Sequence, residues 1–188
     1  MKSAREIEHD KYIAAYRDLW SYKMGGRRMQ ETASELTAIP SRGSYLDVSC
    51  GRGEMLDIAI GMGFASATGT EIVPVLIDGK RVVRAEVHDL PFDDKRFDVV
   101  SMCDVIEHLI PGDDRLACIE IARVARRHVL LTASNLPSIN PQTKQDLHIN
   151  KRPYAEWDKL FNEWFPGVVT WLKGGYVSEI WRVDLEAV

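Results

Sequence analysis

The stretch Y-L-D-V-S-C-G-R-G-E-M-L, from Tyr45 to Leu56, limits the fold of this chain more than any other. Tyr45, Leu46 and Val48 read as a short buried strand that ends in a glycine-punctuated turn. Leu56, Ile58, Ala59 and Ile60 then begin an apolar helix pattern at once. A strand, a glycine turn and a helix N-terminus in direct succession make an arrangement that suits a cofactor. Gly51 and Gly53 let the backbone approach a ligand closely, because no Cβ stands in the way. Asp47, at the strand end, is placed to receive a cation or a hydroxyl. An ordinary strand-to-helix turn of an α/β domain has the same residues, and the turn alone does not separate the two readings.

The chain around it alternates. Ala65–Glu71, Val82–Val87, Phe97–Cys103 and His128–Thr132 read as strands, with a short turn or helical segment at Val73–Asp78 and a helix over Asp113–Arg126. Tyr154–Phe165 reads as an amphipathic helix. Two β-rich runs, Val168–Leu172 and Tyr176–Val183, then meet through Lys173-Gly174-Gly175, which is a hairpin signal. Repeated strand–helix alternation predicts a doubly wound, mostly parallel sheet with helices on both faces, ending in an antiparallel hairpin edge. Ahead of it, Tyr12, Ile13, Tyr16, Leu19, Trp20 and Lys23 recur at helical spacing, and a second helical stretch runs from Met29 to Ile39. The tyrosine and tryptophan stripe reads as packing, and Arg27 and Arg28 as solvated cations, unless the helices lie over the glycine turn and meet an anionic substrate. With 188 residues, one domain is expected over 1–188, residues 1–40 forming a helical cap and 41–188 the α/β core. Trp157, Trp164, Trp171 and Trp181 are expected in the core, with one of them able to line a pocket.

A formal net charge of −4 removes any global basic field that would favour nucleic acid. No apolar run reaches the length of a membrane span, and the first ten residues are too charged for a signal peptide. Cys50, Cys103 and Cys118 show neither zinc spacing nor an even disulfide framework, so a reducing cytoplasm is the expected compartment.

Three acids fall at strand ends in order: Asp47, Glu71 and Glu86. Ligands of a doubly wound sheet sit at the carboxyl ends of its strands. A carboxylate at Glu71 can accept two hydrogen bonds from a ribose diol, which favours an adenosine-type ligand. Glu86 can address an exocyclic amine, with the amide of Val87 available to a ring nitrogen. A dinucleotide site fits less well, because Gly51-Arg52-Gly53-Glu54-Met55-Leu56 lacks the third glycine of that pattern.

From Tyr45 to Asn135 the blocks D-V-S-C-G-R-G, G-T-E, A-E-V-H-D-L-P-F and F-D-V-V-S-M-C-D-V-I-E-H-L occur in sequence. In this order they resemble the class I S-adenosylmethionine-dependent methyltransferases, particularly the group that contains small-molecule and quinone-biosynthetic O-methyltransferases. The resemblance implies a Rossmann-like fold and a cofactor site at Asp47, Ser49, Gly51, Gly53, Glu71, Glu86 and Val87. It also implies methyl transfer to a hydroxyl or amine of a small polar acceptor, with Asp104 and His108 facing the methyl group. Two departures stand out: Ser49 occupies a usual glycine position, and the segment between Glu71 and Glu86 is short. His108 is the leading general base, since imidazole titrates near neutrality. Backbone capping by Glu107 and His108 is the structural alternative.

Asp104, Glu107 and His108 stand at i, i+3 and i+4, so one helical turn would align them. With His148 from the loop Asn135–Arg152 they could hold Mg²⁺ or Mn²⁺. A similar acid-x-x-Glu-His pattern occurs in metal-assisted methyltransferases, including small-RNA 2′-O-methyltransferases. His148 and Lys151 could also meet substrate, or the loop could simply wrap the surface. The rival functions are a nucleic-acid or nucleotide methyltransferase using Arg27, Arg28, Lys151 and Arg152, and a cofactor-binding module without chemistry.

Overall fold

The computed structural model describes residues 2–18, 26–172 and 178–185. Leu19, Trp20, Lys23 and the Lys173-Gly174-Gly175 connection lie outside them. Two helices, α1 (Ala4–Asp18) and α2 (Gly26–Ala38), precede the sheet. The core follows as β1 (Ser44–Asp47), α3 (Glu54–Gly61), β2 (Ser66–Glu71), β3 (Val82–Arg84), β4 (Phe97–Met102), α4 (Asp113–Val124), β5 (Ala125–Ala133), α5 (Tyr154–Trp164), β6 (Val168–Trp171) and β7 (Glu179–Asp184). Short 3-10 turns at Pro74–Leu76 and Ile106–His108 interrupt the loops.

The strands form one sheet in the order β3-β2-β1-β4-β5-β7-β6. All pairings from β3 to β5 are parallel, and β7 runs antiparallel to both β5 and β6. The terminal β6–β7 pair is therefore antiparallel as expected, with its second strand inserted against β5. All six residues of β4 are buried, as a strand covered on both faces requires. Its side chains divide by the period of two: Val100 and Met102 join the cluster under α4 and α5, and Val99 joins the cluster under α2 and α3. Trp157 and Trp181 are fully buried in the first of these clusters, with Trp164 and Trp171 packed against it; none of the four lines the cleft under α1.

Two of the boundaries that differ from the sequence reading change where a side chain falls. β3 stops at Arg84, and Glu86 lies beyond it in an isolated bridge to Asp89. β5 begins at Ala125 directly after α4, because Ala125 takes extended angles and pairs with Phe97. Arg126 is thereby drawn from the expected helix into the sheet, where it pairs with Asp98 at 3.1 Å.

In α1, among its described side chains, only Ala15 is fully buried. The helix is held across the carboxyl ends of the strands by polar contacts instead. Arg5 makes a bidentate pair with Asp113 at the start of α4, at 2.6 and 2.7 Å. His9 meets Glu86 at 3.1 Å, and Tyr12 meets His108. Among the described residues no helix is long and apolar enough to cross a membrane.

Candidate active site

The turn after β1 is built from left-handed residues: Ser49 at φ 57°, Gly51 at 56° and Gly53 at 80°. A serine in that region carries a steric cost that glycine does not. The turn is bound to its neighbours by Val48 N donating to Ser101 O at 2.8 Å and Cys50 N to Thr70 O at 2.9 Å. Glu71, at the end of β2 and buried, then fastens the two turns together. Its Oε2 accepts the amide of Gly51 at 3.0 Å, and its Oε1 accepts those of Ile72 and Val73 at 2.8 and 3.1 Å. A Cβ on Gly51 would lie 2.7 Å from Tyr16 Oη, so the glycine admits the close approach of α1. Gly53 does not face the cleft. It is the left-handed residue that starts α3, with Arg81 and Leu56 beside it.

Asp47, Ser49, Gly51, Glu71, Glu86, Val87, Asp104, His108 and His148 all line one cleft, which encloses about 200 Å³ beneath α1. Asp47 accepts a hydrogen bond from Ser101 and is buried. Loss of water pushes its carboxyl up to about 7, with Glu71 and Glu54 adding to the rise. Burial raises Glu71 as well, against the lowering effect of its three amides. Glu86 is held below the usual range, first by its hydrogen bond to His9, and His9 is raised by the same bond.

Behind β4 the predicted single helical turn does not form. Asp104 is left-handed at φ 56° because Thr132 captures it twice: Asp104 N donates to Thr132 Oγ1 at 2.8 Å, and that hydroxyl donates to Asp104 Oδ1 at 3.1 Å. Asp104 Oδ2 pairs with Arg28 at 3.0 Å. Glu107, His108 and His148 do come together, with ligand-type atoms within 4.8 Å of one another, and Asp104 stands outside that group. Glu107 is fully buried. Its Oε1 accepts the amide of Ser134 at 3.1 Å, and its Oε2 has no hydrogen-bond partner among the described residues. Removal from water raises its carboxyl well above the ordinary range. The same cause pushes His108 down to about 3 and lowers His148, so both rings are neutral near pH 7; His108 is free to accept a proton but is a weaker base than the near-neutral imidazole expected from the sequence.

The loop over 135–152 is ordered by its own side chains. Asp114 of α4 holds Asn150 and Arg152, each at 2.9 Å, and Asn150 N donates to Glu107 O at 2.9 Å. Lys151 pairs with Asp146 and does not reach the cleft, whereas Ser138 does. The sequence reading passed over Arg5, His9 and Ser138, placed Tyr12 and Tyr16 in packing, and placed Arg28 in solvent unless the helices lie over the glycine turn. All six line the cleft. Arg5, His9, Tyr12 and Tyr16 lie at i, i+4, i+7 and i+11, a stripe on one helix face that is legible once its polarity is weighed.

Residues 46–132 match the model of a family described as methyltransferase domain. No curated protein matches the chain in sequence. Similar solved structures include a protein of Pyrococcus horikoshii OT3, at a TM-score of 0.68 and 20% identity, over 88% of this chain and 93% of that one. A second is the 1,6-didemethyltoxoflavin-N1-methyltransferase of Burkholderia thailandensis with bound S-adenosylhomocysteine, at 0.70 and 17%, covering 98% and 91%. A third is the magnesium protoporphyrin IX methyltransferase of Synechocystis PCC 6803 with bound S-adenosylmethionine, at 0.66 and 15%, covering 99% of each chain. At these identities the structural likeness is one of fold. The family match runs from β1 to β5, the parallel part of the sheet whose strand ends carry the cleft. Residues 46–132 thus resemble a methyltransferase domain, and the fold around them is shared with enzymes solved with S-adenosylmethionine or S-adenosylhomocysteine bound.

Proposed function

We propose that this chain is an S-adenosylmethionine-dependent methyltransferase that methylates a hydroxyl or amine of a small polar molecule, with His108 accepting the acceptor's proton. The observation that carries the reading is the single cleft that gathers Asp47, Ser49, Gly51, Glu71, Glu86, Val87, Asp104 and His108 under one roof. The site fits the cofactor. Glu71 is fixed by three backbone amides with one acceptor site on Oε2 left for a ribose hydroxyl, the glycine turn leaves room for backbone approach, and Asp47 is a buried carboxyl suited to an ammonium group. When bound, the cofactor supplies an electrophilic methyl group on a sulfonium. The protein's part is to align the acceptor, exclude water and take up a proton at His108.

The enclosure under α1 favours a small acceptor. Of the cations a polynucleotide would need, the three whose side chains are described are engaged: Arg28 with Asp104, Lys151 with Asp146, and Arg152 with Asp114 and Glu156. In the Burkholderia enzyme the acceptor is 1,6-didemethyltoxoflavin, itself a small molecule. Turnover to S-adenosylhomocysteine is expected with members of a panel of phenols, polyols and amines. Methyl incorporation into RNA or DNA with none into the panel would overturn the reading.

Asp47 gives a pH signature. Its carboxyl is protonated below about 7 in the free protein, and an ammonium group beside it favours the ionised form. Binding therefore lowers its pKa, releases a proton on the acid side, and strengthens as pH rises through about 7 before levelling. Calorimetry in buffers of different ionisation heat should show that proton release at pH 6; a dissociation constant flat from pH 5.5 to 7.5 would contradict it.

A second reading is favoured by the unpartnered Glu107 Oε2 beside His108 and His148, a donor set for a divalent cation. One carboxylate and two imidazoles suit Mn²⁺ better than Mg²⁺. Such an ion would keep Glu107 ionised and draw an acceptor hydroxyl toward the alkoxide. Activity should then vanish on chelation and return with Mn²⁺ more than with Mg²⁺. Full activity after exhaustive removal of divalent ions rejects the metal and leaves His108 as the base.

A further inference from the structure

Two backbone carbonyls of one loop decide what His108 and His148 offer to the cleft. His108 Nδ1 lies 2.9 Å from the carbonyl oxygen of Leu147, and His148 Nδ1 lies 2.5 Å from that of Leu136. A carbonyl only accepts, so each neutral ring must carry its hydrogen on Nδ1 and leave Nε2 as the bare nitrogen. The Tyr12 hydroxyl also touches His108 Nδ1, but a hydroxyl can serve either tautomer and does not select one. His148 Nε2 in turn points toward Glu107, 4.0 Å from Oε1.

The two carbonyls are held in register by one side chain. Asp146 Oδ1 accepts the amide of Ser138 at 2.9 Å and the amide of His148 at 3.0 Å. Leu147 N donates to Ser138 O at 2.8 Å, which closes a short ladder between the arm carrying Leu136 and the arm carrying Leu147. The other oxygen of Asp146 faces Lys151. Asp146 does not line the cleft.

We infer that Asp146 is a positioning residue: one of its oxygens pins the Ser138–His148 ladder, and through the Leu147 and Leu136 carbonyls it sets both histidines to expose Nε2. The inference rests on His108 serving the reaction as proposed above, and it holds whether Nε2 takes a proton or a cation. Only Oδ1 is needed, which separates this role from that of the Lys151 ion pair.

The test compares Asp146→Ala with Asp146→Asn in the full chain, together with nitrogen-15 NMR of the histidine rings in the unmodified protein. Asparagine keeps an acceptor oxygen for the two amides and loses the charge paired with Lys151. Asp146→Ala should lower kcat roughly 10- to 100-fold, the usual cost of losing an orienting partner, while the KM for S-adenosylmethionine changes by less than about twofold. Asp146→Asn should recover most of that loss. The NMR spectra should show Nδ1–H imidazoles at His108 and His148 in the unmodified protein and in Asp146→Asn, even if the alanine variant fails to fold. An Nε2–H tautomer at His108, or an asparagine variant as impaired as alanine, would overturn the inference. Activity retained in His108→Ala alongside Nδ1–H rings would instead reject the role given to His108, and with it the catalytic consequence drawn for Asp146.

Discussion

Glu71→Gln is expected to weaken S-adenosylmethionine binding by roughly ten- to a hundredfold, the loss of about 1.5–3 kcal/mol that a hydrogen bond to a charged group contributes. The carboxylate at the end of β2 accepts amides from both turns that cradle the cleft, one from Gly51 and two from the Ile72–Val73 step. An amide side chain satisfies one side only: its oxygen can keep Ile72 and Val73, and its NH₂ then faces the NH of Gly51, donor against donor. The Gly51 turn loosens at the place where close backbone approach is required. Glu71→Ala goes further and strands three amides, each costing about 1–3 kcal/mol when left buried and unpaired. Its thermal midpoint should fall along with its affinity. Calorimetric titration of the glutamine variant and thermal unfolding of both variants check this. Unchanged affinity in a folded Glu71→Gln protein would remove Glu71 from the cofactor site.

The second large effect is expected at His108. His108→Ala should lower kcat by roughly 10²- to 10⁴-fold, the range contributed by a positioned acid or base, with the cofactor dissociation constant nearly unchanged. The imidazole lies beside Tyr12, Leu147 and His148 and contacts neither the glycine turn nor Glu71. Its removal therefore touches the acceptor side of the cleft. Single-turnover kinetics at saturating cofactor measure the step directly. A kcat within a few-fold of the unmodified enzyme would assign proton removal to water or to the acceptor itself.

What could be read from residue order was whatever lies beside a strand end. Asp47 and Glu86 follow apolar runs and Glu71 closes the Ala65–Glu71 stretch, and the alternation of strands and helices fixes which end of the sheet they share. The hairpin edge was legible for the same reason. The roof over the cleft was not, because Tyr12 lies 96 residues from the His108 it touches and no local pattern announces such a pair. Its tyrosines resemble a packing stripe; Arg5 and His9 at the same spacing mark that face as polar, but only the fold shows what it covers. The turn after β4 was misjudged for a different reason. Spacing predicts a helical alignment of Asp104, Glu107 and His108, but Thr132, on β5, binds both the amide and the carboxylate of Asp104 and turns it away. In the loop, Asp146 and Asn140 are short acidic and amide side chains that accept nearby backbone amides, a turn chemistry that spacing could have exposed. Ser49 marks the remaining tension. It takes a left-handed angle that a glycine would adopt freely, so the turn is held in shape by its bonds to β2 and β4 and not by local preference.

The structure of the complex with S-adenosylhomocysteine bears most directly on the nucleoside placement. The ribose hydroxyls should lie within hydrogen-bond distance of Glu71, the adenine should rest between Glu86 and the Val87 amide, and the sulfur should face His108 across the Ser49–Gly51 bend. A ligand bound outside the cleft under α1, or bound within it with Glu71 still contacting backbone alone, would contradict that placement.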